Sequence, residues 1–553
     1  MFNRQELLNW TEWLVRIESV VNTEGEAAIA QRLYEELGTW SYFRQNPAHL
    51  WLQPTGEAGI TRYNVIALVR ASQPVEETTL LLGHLDTVGI DDFGQLRGLA
   101  TQPAELRARM QELEYLPDSV KRHLQDEDWM FGRGTSDMKS GVAANLAILK
   151  YYSEHREEMK GNLLLVAECD EEDSSNGVLA AVPFLNRLAE QEKLQISAAI
   201  NSDFVTARHD GDENRYIYLG TVGKLLPSLF VTGKETHVGQ AFDGFDPNLL
   251  LSEITREIDY NPNLCDELDG EVTPPPVSLK QTDLKPYYDV QTPLAGFAYY
   301  NFLVHSLSPR DVMEKLRENV TAAFARAIAT YRARYEAYCK RTGAETQPLT
   351  LQPRVYTYEE YYRELAAKHG EALHQAMSDK AEQLKADHSL DIRYYCCRMV
   401  EELQRWDENK DPVCILFYSS LYSPRVVLSD DNPRDRRLKL AVQHAVENVQ
   451  PDYAKPIVVR QFFPYISDMS FVTLSDDEAG ITGYTANMPA WGNKHTVPFE
   501  EIRRLQVPIV NIGPYGFDAH KKWERLEITY SLEIVPRLMD QVIRYLWEHP
   551  LSS

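Results

Sequence analysis

Cysteine is sparse in this sequence and carries no pattern. The six thiols, Cys169, Cys265, Cys339, Cys396, Cys397 and Cys414, follow neither metal-ligand nor disulfide-framework spacing, and Cys396 beside Cys397 is an awkward pair to bridge. Reduced thiols in the cytoplasm are the expectation. Positive charge is also short: 57 basic residues face 82 acidic ones, and the net charge of −25 argues against nucleic acid and anionic membrane as partners. No apolar run reaches the roughly 20 residues that span a bilayer. The opening Met1-Phe2-Asn3-Arg4-Gln5-Glu6 lacks a basic segment leading into an apolar core, so neither export nor membrane embedding is expected. A phosphate-cradling loop is missing too. In the glycine-rich stretch 132–141, Asp137 stands five positions after Gly132, where such a loop needs its second glycine. A carboxylate there repels phosphate and suits a cation.

What the chain does have is alternation. Leu7, Leu8, Trp10, Leu14, Val15, Ile17, Val20 and Val21 recur at helical spacing, so an amphipathic helix opens the fold. Short apolar runs at 64–69, 79–82, 162–167, 196–200, 413–417, 457–459 and 507–512 alternate with helical segments such as 142–152. Continuous apolar strands between helices predict an α/β fold whose sheet is covered on both faces. From about 215 to 340 the pattern shifts to mixed strands, a break at Pro274, Pro275 and Pro276, and a long helix from Pro309, which reads as an inserted α+β domain. Residues 345–411 are polar, helical and tyrosine-rich, as in a cap or an oligomer contact. The expected divisions are 1–212 and 412–553 for the two parts of the catalytic domain, 213–342 for the inserted domain and 343–411 for a helical insertion.

Several predicted strands end on residues that can hold metal. His84 and Asp86, two apart at the end of 79–82, face the same side of an extended chain, so the carboxylate can orient the imidazole. After 162–167 comes Glu168-Cys169-Asp170-Glu171-Glu172-Asp173, at the strand end where α/β proteins build their sites. Asp203 follows 196–200, and His520 follows 507–512. Singly, each has an ordinary use: a hydrogen-bonded strand-end histidine, a turn aspartate, a solvated acidic loop. Taken together, His84, Asp137, Glu172, Asp203 and His520 supply two imidazoles and three carboxylates, an inventory suited to two zinc-like ions sharing one carboxylate.

In order and approximate spacing, His84 to Val88, Gly132 to Lys139, Asp170-Glu171-Glu172, Asp203, Gly233 to His237 and Gly513 to His520 resemble the M20 metallopeptidase and deacylase family. The length, the helical insertion and Phe463-Pro464-Tyr465-Ile466-Ser467-Asp468 are similar to its Roc-type arginine-utilisation branch. The resemblance implies a zinc-peptidase-like catalytic domain with a mixed, mostly parallel sheet and an inserted α+β lid that mediates dimerisation. It implies one metal on His84, Asp137 and Asp203 and another on Asp137, Glu172 and His520, most often zinc, with cobalt or manganese as alternatives. Glu171 would be the general base, Asp86 would orient His84, and a cis peptide would follow Asp137. His237 would stabilise the oxyanion across a homodimer interface; its alternative use is as a strand-turn hydrogen-bonder.

Three features depart from the family. The stretch 300–309 lacks the arginine that usually holds a substrate carboxylate, leaving Asn301 and His305 for polar groups. Asp203 stands where the family's aminopeptidases tend to have Asp and its deacylases Glu, which leans towards a substrate with a free amino end. The insertion can reshape the mouth of the site, and Asp468 and His495 can line the pocket. The expected activity is hydrolysis of an amide or peptide bond in a small substrate linked to arginine supply. Deacylation of an N-acyl amino acid and non-catalytic small-molecule binding are the alternatives.

Overall fold

Six of the eight strands in the first sheet are buried along most of their length, as unbroken apolar runs predict, whereas the two edge strands, around 50–54 and 457–460, are only partly buried. The structure, a computed structural model, describes residues 2–55, 60–387 and 389–551. The chain forms two compact units, one of Met1–Thr221, Val426–Leu474 and Pro498–Ser553, the other of Val222–Arg425 and Ser475–Val497.

In the first unit the strands lie in the order Leu50–Pro54, Tyr63–Val69, Asn162–Glu168, Glu77–His84, Gln195–Asn201, Ile509–Asn511, Arg215–Tyr218, Ile457–Arg460. The four from Asn162–Glu168 to Ile509–Asn511 run parallel, and the flanking pairs include antiparallel ones. A parallel core is buried on both faces, hence the unbroken Leu80, Leu81, Leu82 and Leu163, Leu164, Leu165. The helix Ser140–Glu154 packs against the sheet through Val142, Leu146 and Leu149. The opening helix spans Arg4–Val15, with Asn3 accepting from the Gln5 amide at 2.8 Å; it stops short of Val20, which bridges to Thr87 instead. A small antiparallel sheet joins Gly516–Phe517, Arg525–Glu527 and Trp129–Phe131.

The second unit is built on another sheet, in the order Val277–Asp283, Ala295–Val304, Pro227–Thr232, Val413–Tyr418, Val355–Thr357, with Gly223–Leu225 also pairing to Ala295–Val304. Helices Pro247–Ile258 and Pro309–Thr342 belong to it, the latter opened by a reciprocal cap between Ser308 and Asp311. The insertion contributes helices Tyr358–His369, Glu371–Lys385 and Ile392–Arg405 and also a strand, Val355–Thr357, parallel to Val413–Tyr418. Its tyrosines pack: Tyr361 is buried and donates to Asp407 at 2.7 Å. Val413–Tyr418, on the catalytic side of the expected division at 412, pairs here with Pro227–Thr232. A wholly apolar strand carries no mark of which sheet it will join. No helix among the described residues is long and apolar enough to cross a membrane.

Candidate metal centre

Parallel strands deliver their carboxyl ends to one edge of the first sheet, and the turns there carry charge. His84 is the last residue of its strand and pairs in register with Glu168, the last of the neighbouring one. Asn201 pairs with Asn511 on the other side, and Asp203 follows two residues on. Glycines let these turns close up. A Cβ on Gly141 would lie 2.0 Å from the Ser202 carbonyl oxygen, and one on Gly513 would lie 1.8 Å from that of Asp203. Asn511 completes the turn by accepting from the Asp203 amide at 3.0 Å and donating to its carbonyl at 2.9 Å.

Asp137 stands between two histidines. Its Oδ1 is 3.2 Å from His84 Nε2, and its Oδ2 is 3.0 Å from His520 Nε2. His520 Nε2 is also 3.0 Å from Glu172 Oε2. Two groups of potential ligands result, His84 with Asp137 and Asp203, and Asp137 with Glu172 and His520, each with ligand atoms within 4.8 Å of one another. Glu171 approaches His84 Nε2 to 3.8 Å. The Asp137–Met138 peptide bond is cis, as the resemblance implies. Asp86 lies against both His84 and the acidic turn. The nearest oxygen to His84 Nδ1 is its backbone carbonyl at 3.1 Å, with the carboxylate at 3.6 Å. That carboxylate accepts the Glu171 and Glu172 amides at 3.3 and 3.1 Å.

The charge in this space is unbalanced. Burial lifts the Glu171 carboxyl well above the usual range and raises Glu172, while Asp203 is pushed up to about 7 by burial and by Asp137. Asp137 stays low in spite of burial because both imidazoles hydrogen-bond to it. His520 is raised to about 10 by its bonds to Asp137 and Glu172. Burial lowers His84, but the facing Glu171, Asp137 and Asp86 overcome it and lift it well above the ordinary value. Carboxylates crowded in this way call for cations. Tetrahedral ligands about 2.0 Å from a zinc ion lie about 3.3 Å apart, close to the 3.0–3.2 Å separations from Asp137 to the two imidazoles. His84 meets carbonyl oxygen at Nδ1, the tautomer that frees Nε2 for a metal. The residues fit a pair of divalent ions.

Sequence reasoning missed the supports. Glu524 is buried; its Oε1 accepts the Ser136 and Asp137 amides at 3.2 and 3.3 Å, and its Oε2 pairs with Arg133 at 2.8 Å. Nothing in the charged run around Glu524 marks it, since only the small antiparallel sheet carries it under the Asp137 turn. Asp468, which the sequence offered as a pocket-lining residue, lies buried beside Glu168 and is pushed up to about 7 by burial, and Ser467 accepts from Asn201 at 2.9 Å. In the second unit, His237 is exposed, and its Nδ1 accepts the Gly239 amide at 3.0 Å. Asn301 is half-buried on Ala295–Val304. His305 is buried, its Nδ1 3.1 Å from the Glu271 carbonyl. His495 lies 3.0 Å from the Tyr484 hydroxyl, and burial pushes it down to about 4.

Residues 80–507 match the model of peptidase family M20/M25/M40. Protein RocB of Bacillus subtilis (strain 168) is 36% identical over 536 residues, which is 97% of this chain and 94% of that protein. A tripeptidase from Staphylococcus aureus has the same fold, with a TM-score of 0.52 at 15% identity over 99% of this chain and 100% of its own. So does the YXEP protein of Bacillus subtilis, described as a dinuclear metal binding peptidase, with a TM-score of 0.52 at 10% identity over 99% of each chain. This chain therefore belongs to peptidase family M20/M25/M40, in the branch that includes RocB, and is a metal-dependent hydrolase.

Proposed function

We propose that this chain hydrolyses an amide or peptide bond in a small substrate, using two divalent ions and Glu171 as general base. The observation that carries this reading is the two-sided Asp137 carboxylate, 3.2 Å from one imidazole and 3.0 Å from the other. His84, Asp137 and Asp203 would hold one ion and Asp137, Glu172 and His520 the second. The nitrogen and carboxylate donors favour zinc, with cobalt or manganese as alternatives. When bound, the ions would polarise the scissile carbonyl and make a water between them more acidic.

The chain's own groups then move the proton. Glu171, lifted by burial well above the usual carboxyl range, takes it from the attacking water and passes it to the leaving amine. Asp86 holds the Glu171 and Glu172 amides, so base and ligand keep a fixed separation. His237 accepts at Nδ1 and therefore carries its proton on Nε2, ready to donate to a developing oxyanion. Its exposure supports service to the site of a second subunit. The edge strand Val277–Asp283 exposes Leu279, and Tyr287, Tyr288 and Leu294 are exposed near it, apolar groups that suit a homodimer contact. Six free thiols, five of them buried, agree with a cytoplasmic setting.

Similarity to RocB supports a link to arginine utilisation, and Asp203 supports a substrate with a free amino end. Asn301 is the candidate for its polar groups. Activity on dipeptides, N-acylated amino acids and arginine derivatives separates peptidase from deacylase. Glu171→Ala is expected to lower kcat by roughly 10²–10⁴ with two ions per chain retained. Wild-type turnover in that variant would remove Glu171 from the mechanism.

A further inference from the structure

The turn that carries Glu171 and Glu172 begins at Asp170, and Asp170 is tied to residues far from the motif. Its φ of 64° is left-handed, its carbonyl accepts the Ser175 amide at 2.7 Å, and its Oδ2 accepts the Asn176 side chain at 2.6 Å. The other oxygen, Oδ1, forms an ion pair with Arg62 at 3.1 Å. Arg62 immediately precedes Tyr63–Val69, the strand that pairs with Asn162–Glu168, so sheet register carries it to this turn. Its Nε donates to Glu26 Oε2 at 3.0 Å, and Glu26 also accepts the Asn22 amide at 2.7 Å. Glu26 lies in the first turn of the helix Glu24–Gly38. All three charged side chains are 3% exposed or less.

We infer that Glu26, Arg62 and Asp170 form a buried brace that sets the position of the Glu171–Glu172 turn, with Arg62 as a positioning residue for the Glu172 ligand and the Glu171 base. A buried guanidinium bridging two carboxylates has one low-energy arrangement, because breaking either pair strands a charge. Rotation of Asp170 would swing the next two residues, which are otherwise held through their amides by Asp86. Along the chain the brace adjoins Glu172 alone among the ligands, and Glu172 belongs to one of the two groups. His84 and Asp203 are carried by other strands, so a defect in the brace is felt at the Asp137, Glu172, His520 group and spares the His84, Asp137, Asp203 group. This inference rests on the two-ion reading of the site.

Titration of the metal-stripped chain with zinc, followed by calorimetry, tests it. Arg62→Lys keeps the charge but loses the planar fork, and is expected to weaken one zinc-binding step by about 10–100-fold while the other keeps its affinity. The loaded variant should show a lowered kcat at nearly unchanged KM. Glu26→Gln, which keeps the shape, should weaken the same step and serves if Arg62→Lys does not fold. Glu172→Gln marks which step belongs to the Glu172 group. If Glu172→Gln loses one step but neither brace variant does, or if a brace variant weakens both steps equally, the positioning role is overturned. Two full-affinity steps in Glu172→Gln would instead remove Glu172 from the ligands and the brace with it, whereas a single step in the wild-type chain would overturn the two-ion reading on which the brace depends.

Discussion

A carboxylate with an imidazole at each oxygen cannot be replaced by any residue that offers one oxygen, and Asp137 therefore depends on how its backbone is held. Glu524 does the holding, through the Ser136 and Asp137 amides and a buried pair with Arg133. Glu524→Ala would leave two amides without this acceptor and strip Arg133 of its buried partner, although Asp92 remains 2.9 Å away. The expected cost is about 3–5 kcal/mol, read as a lower midpoint of urea unfolding. A variant as stable as wild type would show that Arg133 and the turn are held by other contacts. Residues of this kind escape sequence reading. His84 and Asp137 sit in recognisable surroundings, whereas Glu524 gains its role only from the contacts that tertiary folding makes around it.

At the scale of elements, the strand ends organise the chemistry, and the small antiparallel sheet beside them carries a pH-sensitive contact. His123, in the helix Asp118–Leu124, stacks on Trp129 with ring centroids 3.8 Å apart and accepts at Nδ1 from Arg525 at 2.7 Å. Burial first and the Arg525 charge second push it down to about 4 from an ordinary 6.5. A lowered folded value means that the unfolded chain binds the proton first as pH falls. Stability from this contact is therefore full above pH 6.5 and is lost between about 6.5 and 4. For a half-buried ring the loss is about 1–2 kcal/mol after solvent screening. Urea midpoints measured across that range should fall less steeply in His123→Gln than in wild type, and equal slopes would refute the assignment. The strands themselves were legible because burial on both faces demands unbroken apolar runs. Which sheet claims Val413–Tyr418 was not, since an apolar strand fits either one.

For the whole molecule the open matter is assembly. If His237 serves the site of a second subunit, neither a Glu171→Ala chain nor a His237→Ala chain supports full turnover alone, yet a mixture does so in part. Random pairing of equal amounts into two-fold dimers restores about a quarter of wild-type activity, because half the dimers are mixed and each has one complete site. No recovery on mixing would confine His237 to its own chain. Local order along the chain was enough to specify the α/β class with an inserted unit and to pick out the residue types that gather at the candidate metal centre, because strand burial and ligand chemistry leave period and composition marks in short windows. Folding alone decided that Asp137 turns one oxygen to His84 and the other to His520, that Glu524 lies beneath it, and that Arg62 reaches Asp170. Those contacts join positions up to several hundred residues apart, and only strand register and helix packing bring such positions within hydrogen-bonding distance.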